Sequence, residues 1–353
     1  MKKLTSLQLC MLLICGRAFT LMTFLPAGSD NSLIYMIGTV VSTLIQAAIV
    51  IPIIIFQQKF QNENPCTLAL SRSKPLGIFV TLLYMLYFAL VIFYVIGTFT
   101  YFMDYYFSDY IPRIMIVISS AAAAVYVGKM NTGVIGKTGA VVFALFLFFT
   151  ATLVISSLEN FSTVNFHLAD NDVSGGIWQA AKGELSRNAD LIFLVFLLPD
   201  LKGKVGKSSA VFLAVRFALV EIIMGFVTII LGDYTMYSKL PFFSLAAYSK
   251  TSIIERYDAA IMSVWVMLAI IKLGMYVHCT ARCVKYTLPK LSFVTSAIIA
   301  SAVPAAASLF YLIPHKWETI AYSSVSSIPL IILAAVVPLL MILFMRGRKN
   351  EKA

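Results

Sequence analysis

Charged side chains inside long apolar runs are the residues of this chain with the clearest capacity for chemistry. Gly16 and Arg17 lie near the middle of the first apolar run, where a flexible backbone position adjoins a permanent cation. Arg17 could face a cavity and bind an anionic group, or could pair with an acidic residue such as Glu221. Gly16 could open the helix toward a ligand or could simply allow close helix packing. These residue types indicate binding, and the structural alternative stays open for both.

A second polar stretch, 182–190, leads directly into the apolar run 191–198, which ends at Pro199. A crossing that begins polar and ends at a proline is typical of an interrupted helix beside a polar cavity. The alternative is an amphipathic segment on the outer surface followed by a short re-entrant span. Asn188 and Ala189, which adjoin the apolar part, are the better candidates to line a cavity.

Other charged residues indicate structural contacts. Arg216 and Glu221 are five positions apart and do not share a helix face, so each needs a partner on a neighbouring helix. The alternating charges within 254–258, at the start of the eighth predicted helix, favour a structural clamp to adjacent loops over a ligand site. We assign five residues to a structural charge cluster: Glu221, Glu255, Arg256, Asp258 and Lys272.

The sequence lacks the motifs of an enzyme. No nucleophile and base, carboxylate pair or Gly-rich phosphate loop can be argued from spacing, so neither catalysis nor a bound cofactor is predicted. Cys279 and Cys283, four positions apart beside His278, could hold a metal. Small apolar residues on one helix face are the favoured interpretation, and no metal site is predicted.

Membrane-spanning helices must position these residues, because 60% of the chain is hydrophobic and only 12% is charged. A helix needs about 20 apolar residues to cross the bilayer. Ten crossings are predicted over 4–26, 32–56, 76–103, 112–127, 139–157, 178–199, 208–231, 253–281, 291–313 and 325–345. The prediction is an all-α polytopic membrane protein with a single membrane domain, 1–353.

The net charge of +11 could suggest a nucleic-acid partner, but its distribution does not. Lysines and arginines concentrate in alternate loops and at both ends of the chain, for example Lys2, Lys3, Arg346 and Lys349. By the positive-inside rule both termini are predicted to be cytoplasmic, which agrees with an even number of crossings.

The interrupted candidates, helices 1 and 6, occupy equivalent positions in two five-helix halves, about 4–157 and 178–345. Because five is odd, the second half must enter the membrane from the opposite side. This predicts a 5+5 inverted repeat with a ligand site at its interface near the bilayer midplane.

Motifs along nearly the whole chain carry a family resemblance. They are Leu7-Gln8-Leu9, Gly16, Pro26, Ala27-Gly28-Ser29-Asp30, Leu76-Gly77, Tyr84, Tyr87, Tyr126, Gly133-Val134-Ile135-Gly136-Lys137, Ile253-Ile254-Glu255-Arg256-Tyr257-Asp258, Trp265 and Ile271-Lys272. The Glu-Arg-Tyr-Asp element is the most specific. With these motifs the chain resembles the B subunits of spore germinant receptors, endospore germination permeases of the amino acid, polyamine and organocation transporter superfamily.

The resemblance implies a leucine-transporter-like fold in which helices 1 and 6 unwind around a small-molecule site that helices 3 and 8 help to line. Carried onto this sequence, the substrate-binding residues are Cys15, Gly16, Arg17, Ala18, Tyr94, Val95, Asn188, Ala189, Trp265 and Ala269. Arg17 stands where the family commonly has a small polar residue, which implies a ligand with an anionic group.

The resemblance also implies a function and partners. The chain would act with a larger membrane A subunit and a C lipoprotein subunit in the inner membrane of a bacterial spore, where it would sense an amino acid or similar nutrient. Ligand binding would shift a conformational equilibrium and trigger germination. Two alternatives stay open: a stand-alone permease coupled to protons or sodium, and a passive channel.

Overall fold

Helices dominate the computed structural model, which describes residues 3–23, 32–61, 63–107, 110–158, 172–232, 234–238, 240–249, 257–311 and 327–345. In chain order its elements are β1 (Leu4–Thr5), α1 (Ser6–Thr23), α2 (Ser32–Lys59), α3 (Pro65–Arg72), α4 (Lys74–Phe107), α5 (Arg113–Gly128), α6 (Thr132–Ser156), α7 (Val173–Arg187), α8 (Phe193–Phe196), β2 (Leu201–Lys202), α9 (Val205–Leu231), α10 (Tyr234–Tyr237), α11 (Pro241–Tyr248), α12 (Tyr257–Thr287), α13 (Phe293–Tyr311) and α14 (Ser327–Phe344).

The described elements account for ten crossings, as the sequence predicts. Eight helices are long and apolar enough to span a bilayer: α1, α2, α4, α6, α9, α12, α13 and α14. A ninth crossing is α5, a shorter apolar helix of 16 residues. The tenth is the interrupted segment that runs from α7 through α8 to Asp200.

The helices α1 and α12 lie in the interior of the bundle. In α1 and α12, 72% and 67% of the apolar window is buried, against 33–44% in the other six long crossings. The helix α12 packs against α1, α4, α5, α6 and α13, while α1 packs against α6, α9 and α12. Arg17 on α1 and Lys272 on α12 are accordingly buried and contact protein and not lipid.

The first crossing is continuous, so the predicted interruption of helix 1 is wrong. The helix α1 runs from Ser6 to Thr23 without a break at Gly16. A glycine costs a helix only about 1 kcal/mol. A buried backbone group that a break leaves without a hydrogen-bond partner costs several kcal/mol, so one glycine does not by itself open the helix.

The sixth crossing is interrupted, as predicted. At Asn188 the backbone leaves helical geometry, with φ −101° and ψ 42°, and its N–H bonds to the carbonyl of Leu185 three residues back. A 3₁₀ turn over Ala189–Ile192, the short helix α8 and a second 3₁₀ turn over Leu198–Asp200 follow. Backbone groups freed at this break are tolerated at membrane depth because the segment is buried in protein.

One predicted helix start differs from the structure by seven residues, and the start predicted for helix 8 is not tested by it. The helix α6 begins at Thr132, seven residues before the predicted start, because its glycines serve packing and not a turn. A Cβ on Gly136 would clash with the Leu4 side chain, and one on Gly139 would lie 2.6 Å from Leu12 Cδ2, so these glycines admit β1 and α1. The start predicted for helix 8, at 253, lies outside the described residues, as does the first outer turn, 27–30.

A short parallel pairing joins the first crossing to the sixth. Leu4 pairs with Leu201 and Thr5 with Lys202, so β1 at the start of α1 lies beside β2 at the end of the interrupted segment. Lys3, Lys202 and Lys204 lie at this end of the bundle, which we call the lysine-rich side.

Candidate functional site

A buried ion pair lies at the break in the sixth crossing. Lys272 Nζ on α12 lies 2.7 Å from Asp190 Oδ2 and donates a second hydrogen bond, of 3.0 Å, to the Gly16 carbonyl. The two side chains are 2% and 1% exposed. Because an unpaired charge at membrane depth is costly, each partner depends on the other. The pair therefore joins α1, the break and α12.

Gly16 is the position that admits the Asp190 carboxylate. A Cβ built on Gly16 would lie 2.5 Å from both Cγ and Oδ2 of Asp190, closer than real Cβ contacts come. The space beside Gly16, which the sequence assigns to a ligand, is filled in this structure by a protein carboxylate. Gly16 thus provides close approach without unwinding.

Three buried polar atoms around this pair have no hydrogen-bond partner in the described part of the chain. They are Asp190 Oδ1, Asn188 Oδ1 and the Tyr276 hydroxyl. The Asn188 amide itself donates to Gln46 Oε1, and the Tyr87 hydroxyl lies 3.5 Å from the Ala189 carbonyl. A buried polar atom without a partner is costly, so this is where a polar ligand would gain most.

We call Gly16, Asn188, Asp190, Lys272 and Tyr276 the Asp190 site. Its charged pair has one carboxylate oxygen, Asp190 Oδ1, without a well-formed hydrogen bond among the described residues, and the Tyr276 hydroxyl lies close to this carboxylate. The Lys272 ammonium uses two of its three N–H donors, on Asp190 and on the Gly16 carbonyl. The site can accept a hydrogen bond from a cationic group and donate one to an anionic group.

Arg17 belongs to a different cluster. Its Nε and one terminal nitrogen bond to the two Glu184 oxygens, at 3.0 and 2.7 Å, and the other terminal nitrogen donates to Thr20. The sequence suggested Glu221 as a structural partner, and the structure gives Glu184 on α7 in its place. Arg17 uses three of its five N–H donors in these bonds, and its bidentate partner is Glu184 and not a group at the break.

Glu184 also binds side chains on two further helices, α2 and α9. Arg216 on α9 donates to Glu184 Oε1 at 2.7 Å and also bonds to Thr43 on α2. The Tyr35 hydroxyl on α2 donates to Glu184 Oε2 at 2.6 Å. We call Arg17, Tyr35, Glu184 and Arg216 the Glu184 cluster. It clamps α1, α2, α7 and α9 together around one carboxylate.

Trp265 lies in an aromatic layer on the side opposite the lysine-rich side. Its ring is fully buried, its Nε1 donates to Thr23 Oγ1 at 2.8 Å, and Phe19 and Phe99 stack on it at 5.2 and 5.3 Å between centroids. Phe102 and Phe243 complete this Trp265 layer. The layer packs the outer end of α1 against α4, α11 and α12, and Ala269 lies buried one turn nearer to Lys272.

The remaining predicted binding residues are dispersed. Cys15 is buried beside Gly16 and its thiol bonds to the Gly139 carbonyl at 3.3 Å. Ala18 and Val95 are buried in the core, while Tyr94 is half-buried and its ring contacts Phe93.

The predicted charge cluster is not one cluster. Asp258 lies at the start of α12, and Lys272 is 14 residues farther along, about 21 Å at 1.5 Å per residue. Lys272 therefore belongs to the Asp190 site. Glu221 is half-buried on α9 and its Oε1 has no hydrogen-bond partner among the described residues. Glu255 and Arg256 lie outside the described residues.

The binding residues predicted from the sequence do not include Asp190 or Glu184. These carboxylates are at the centre of the Asp190 site and of the Glu184 cluster, respectively. Both lie in the polar stretch 182–190, but their charges favoured a place on the outer surface. The missed signal is a charge balance: Arg17, Arg216 and Lys272 all lie inside apolar helices, and buried cations require nearby carboxylates.

His278 is buried within α12. Its Nδ1 lies 2.8 Å from the Gly128 carbonyl, and Cys279 and Cys283 are buried free thiols. Among the described residues, no group of three His, Cys, Asp or Glu side chains could hold a metal ion.

Comparison with solved structures shows the fold. A structure described as the substrate-bound outward-open state of a Na⁺-coupled sialic acid symporter matches with a TM-score of 0.58 and 11% identity. The match covers 96% of this chain and 90% of that one. The predicted all-α, leucine-transporter-like membrane fold is therefore confirmed, while the repeat bounds 4–157 and 178–345 stay a prediction.

Sequence comparison shows the family. No curated protein matches the chain. The profile of a family described as spore germination protein matches residues 8–316, which is most of the 353 residues. The family resemblance stated from the motifs is confirmed, and a transporter-like membrane protein is supported over an enzyme. The chain belongs to the spore germination protein family of permeases.

Proposed function

We propose that this chain is the nutrient-binding B subunit of a spore germinant receptor and that its ligand is an amino acid. The family match and the transporter-like fold support a permease-like receptor subunit. The further steps are that it works beside an A subunit and a C lipoprotein in the spore inner membrane, with both termini cytoplasmic, and that binding triggers germination.

The Asp190–Lys272 pair is the observation that carries the ligand class. An amino acid is a zwitterion, with one ammonium and one carboxylate. The pair offers an open carboxylate oxygen to the ammonium and a donor to the carboxylate. Asn188 Oδ1 and the Tyr276 hydroxyl add neutral partners. A zwitterion therefore adds no net charge to the buried site, whereas an ion of either sign does.

The same pair gives binding a route to a conformational change. Lys272 holds α1 through the Gly16 carbonyl and holds the break through Asp190. A ligand that takes over part of these hydrogen bonds loosens the connection between α1, the break and α12. The conformation in which α1, the break and α12 are separated then binds the ligand more tightly than the closed one. Ligand binding therefore shifts the conformational equilibrium toward the separated state.

The test is germination of spores that carry the chain with its A and C partner subunits. Asp190→Asn should abolish the response to amino acids when the response is compared at equal amounts of chain, measured by immunoblotting, because this variant is also expected to be less stable. The matched control is Asp104→Asn, which breaks an exposed ion pair with Arg113 and should leave the response intact. Normal germination of the Asp190→Asn spores would overturn the assignment of the site.

A stand-alone amino acid permease coupled to protons or sodium is the second candidate. The structural match to a Na⁺-coupled symporter favours it. Counterflow of labelled amino acids in liposomes that contain only this chain separates the two functions. Sustained flux supports the permease, and saturable binding without flux supports the receptor subunit.

A further inference from the structure

A hollow of about 590 Å³ opens on the lysine-rich side of the bundle. Four lysines line it: Lys3 before β1, and Lys202, Lys204 and Lys207 in the short stretch that leads from β2 into α9. No Asp or Glu is among its described lining residues. We call this hollow the lysine pocket. Its charge is concentrated and uncompensated, unlike that of an ordinary solvated surface.

A neighbouring hollow shows the contrast. It has about 300 Å³ and is lined by Lys59 and Arg72 together with the carboxylate residue Glu63. Positive charge on the same side of the molecule is thus partly offset by a carboxylate in one hollow, whereas no carboxylate is among the described lining residues of the other. The positive-inside rule explains lysines on this side in general but not their convergence on one cavity.

The backbone frame of the lysine pocket is fixed by specific hydrogen bonds. Gln57 at the end of α2 donates to the Gly203 carbonyl at 3.0 Å and accepts from the Val205 N–H at 2.8 Å. Gly203 has φ +134°, a conformation that L side chains rarely adopt. With the pairing of β1 on β2, these contacts hold Lys202 and Lys204 at the mouth of the pocket.

The floor of the pocket is apolar and adjoins the lipid-facing surface. Leu198 and Leu201 are buried, and Ile54 of α2 is half-buried. On the same helix Ile51 and Ile55 are 55% and 41% exposed, as expected for side chains that face lipid. A molecule in the pocket therefore meets cations at its head and an apolar wall beneath.

We infer that the lysine pocket binds a phosphate group, and specifically the headgroup of an anionic phospholipid. Basic pockets between transmembrane helices on the lysine-rich side have the charge and the depth for such headgroups. A free phosphate or phosphoglycerol offers the same anion without the apolar part, so the two sources are separable. The bound headgroup would contact Leu198 and Leu201, in the connection that leads from the break to α9.

The experiment counts lipids retained by the purified full chain in native mass spectrometry. Phosphatidylglycerol, phosphatidylcholine and sn-glycerol 3-phosphate are offered separately to the wild type and to Lys202→Gln/Lys204→Gln/Lys207→Gln. The control variant, Lys137→Gln/Lys285→Gln/Lys290→Gln, removes three exposed lysines outside the pocket. We expect retention of phosphatidylglycerol by the wild type and the control, and its loss in the pocket variant.

The three offered compounds distinguish a lipid headgroup from a free phosphate ester as the bound phosphate. Retention of glycerol 3-phosphate at the affinity of the lipid assigns the site to a free phosphate ester, and retention of the lipid alone assigns it to the headgroup. Equal loss in pocket and control variants, or equal retention of phosphatidylcholine, overturns the inference. Lysine acetylation of the wild type is a second measurement: phosphatidylglycerol should protect Lys202, Lys204 and Lys207, and unchanged acetylation contradicts the site. Neither measurement involves a nutrient, so both are independent of the proposed function.

Discussion

Lys272 holds Asp190 at the break in the sixth crossing, with 2.7 Å between Nζ and Oδ2. The two residues are 82 positions apart and lie on different elements. The same ammonium binds the carbonyl of Gly16 on the first crossing. Three elements that would have to separate to open a central site therefore meet at a single cation.

Removing one charge of the Asp190–Lys272 pair should destabilise the protein more than removing both charges. Asp190→Asn and Lys272→Met each leave a buried charge uncompensated, which costs about 3–5 kcal/mol of the free energy of unfolding. The double variant removes both charges and should recover most of that loss. Thermal unfolding in one detergent, followed by tryptophan fluorescence, measures the difference.

The exposed pair of Asp104 and Arg113, with side chains 23% and 44% exposed, is the reference for this comparison. Asp104→Asn should change the free energy of unfolding by less than about 1 kcal/mol, because surface ion pairs contribute little. A double variant that is as unstable as the sum of the two single variants would contradict a mutual dependence of Asp190 and Lys272.

Gly16→Ala should disturb the Asp190 site although it adds a single methyl group. The added Cβ would lie 2.5 Å from the Asp190 carboxylate, so the carboxylate must move. Overpacking of this kind costs about 1–3 kcal/mol. The measurements are thermal unfolding and amino acid binding by the purified chain.

Gly225→Ala in α9 is the matched control, since a Cβ there meets no atom within 4 Å. Alanine is the better helix former, so this variant should be as stable as the wild type or slightly more stable. If both variants behave alike, close approach at Gly16 has no energetic role.

The crossings were predictable from the sequence because their signal is local. Apolar length sets each span, and Asn188 and Pro199 mark the break without knowledge of the rest of the chain. The partners of the buried charges were not predictable in the same way. Arg17 meets Glu184 across 167 positions, and a spacing rule within one helix does not reach that far.

Gly16 shows a further limit of sequence reasoning. A glycine beside a charge at mid-membrane is compatible with an unwound helix and with a tight contact, and the residue type is the same in both. The decision depends on what lies opposite, which is the Asp190 carboxylate. Only the packed bundle supplies that information.

Glu184→Gln should destabilise the protein more than Arg17→Met. Arg17 and Arg216 share one carboxylate, and all three side chains are at most 2% exposed. Without Arg17 a one-to-one pair remains, whereas without Glu184 two buried cations face each other. The yield of folded, monodisperse protein from membranes measures the ranking, and the reverse order would show that the Glu184 cluster is balanced by another carboxylate.

Trp265→Ala should make the interior of the bundle more accessible from the end opposite the lysine-rich side. The change removes the stacking of Phe19 and Phe99 and the hydrogen bond to Thr23, at a cost of about 3–5 kcal/mol. Trp265→Phe keeps a ring and loses one hydrogen bond, about 1 kcal/mol.

The readout for this layer is maleimide labelling of Cys15, the buried thiol beside Gly16, in a chain whose other four cysteines are alanine. Labelling should be several-fold faster in Trp265→Ala and nearly unchanged in Trp265→Phe. This follows because Thr23 lies about two helical turns beyond Cys15 on α1 and accepts a hydrogen bond from Trp265 of α12, so the aromatic rings cover that end of α1. Equal labelling of the two variants would show that access to Cys15 is controlled elsewhere, and the Trp265 layer would then be core packing alone.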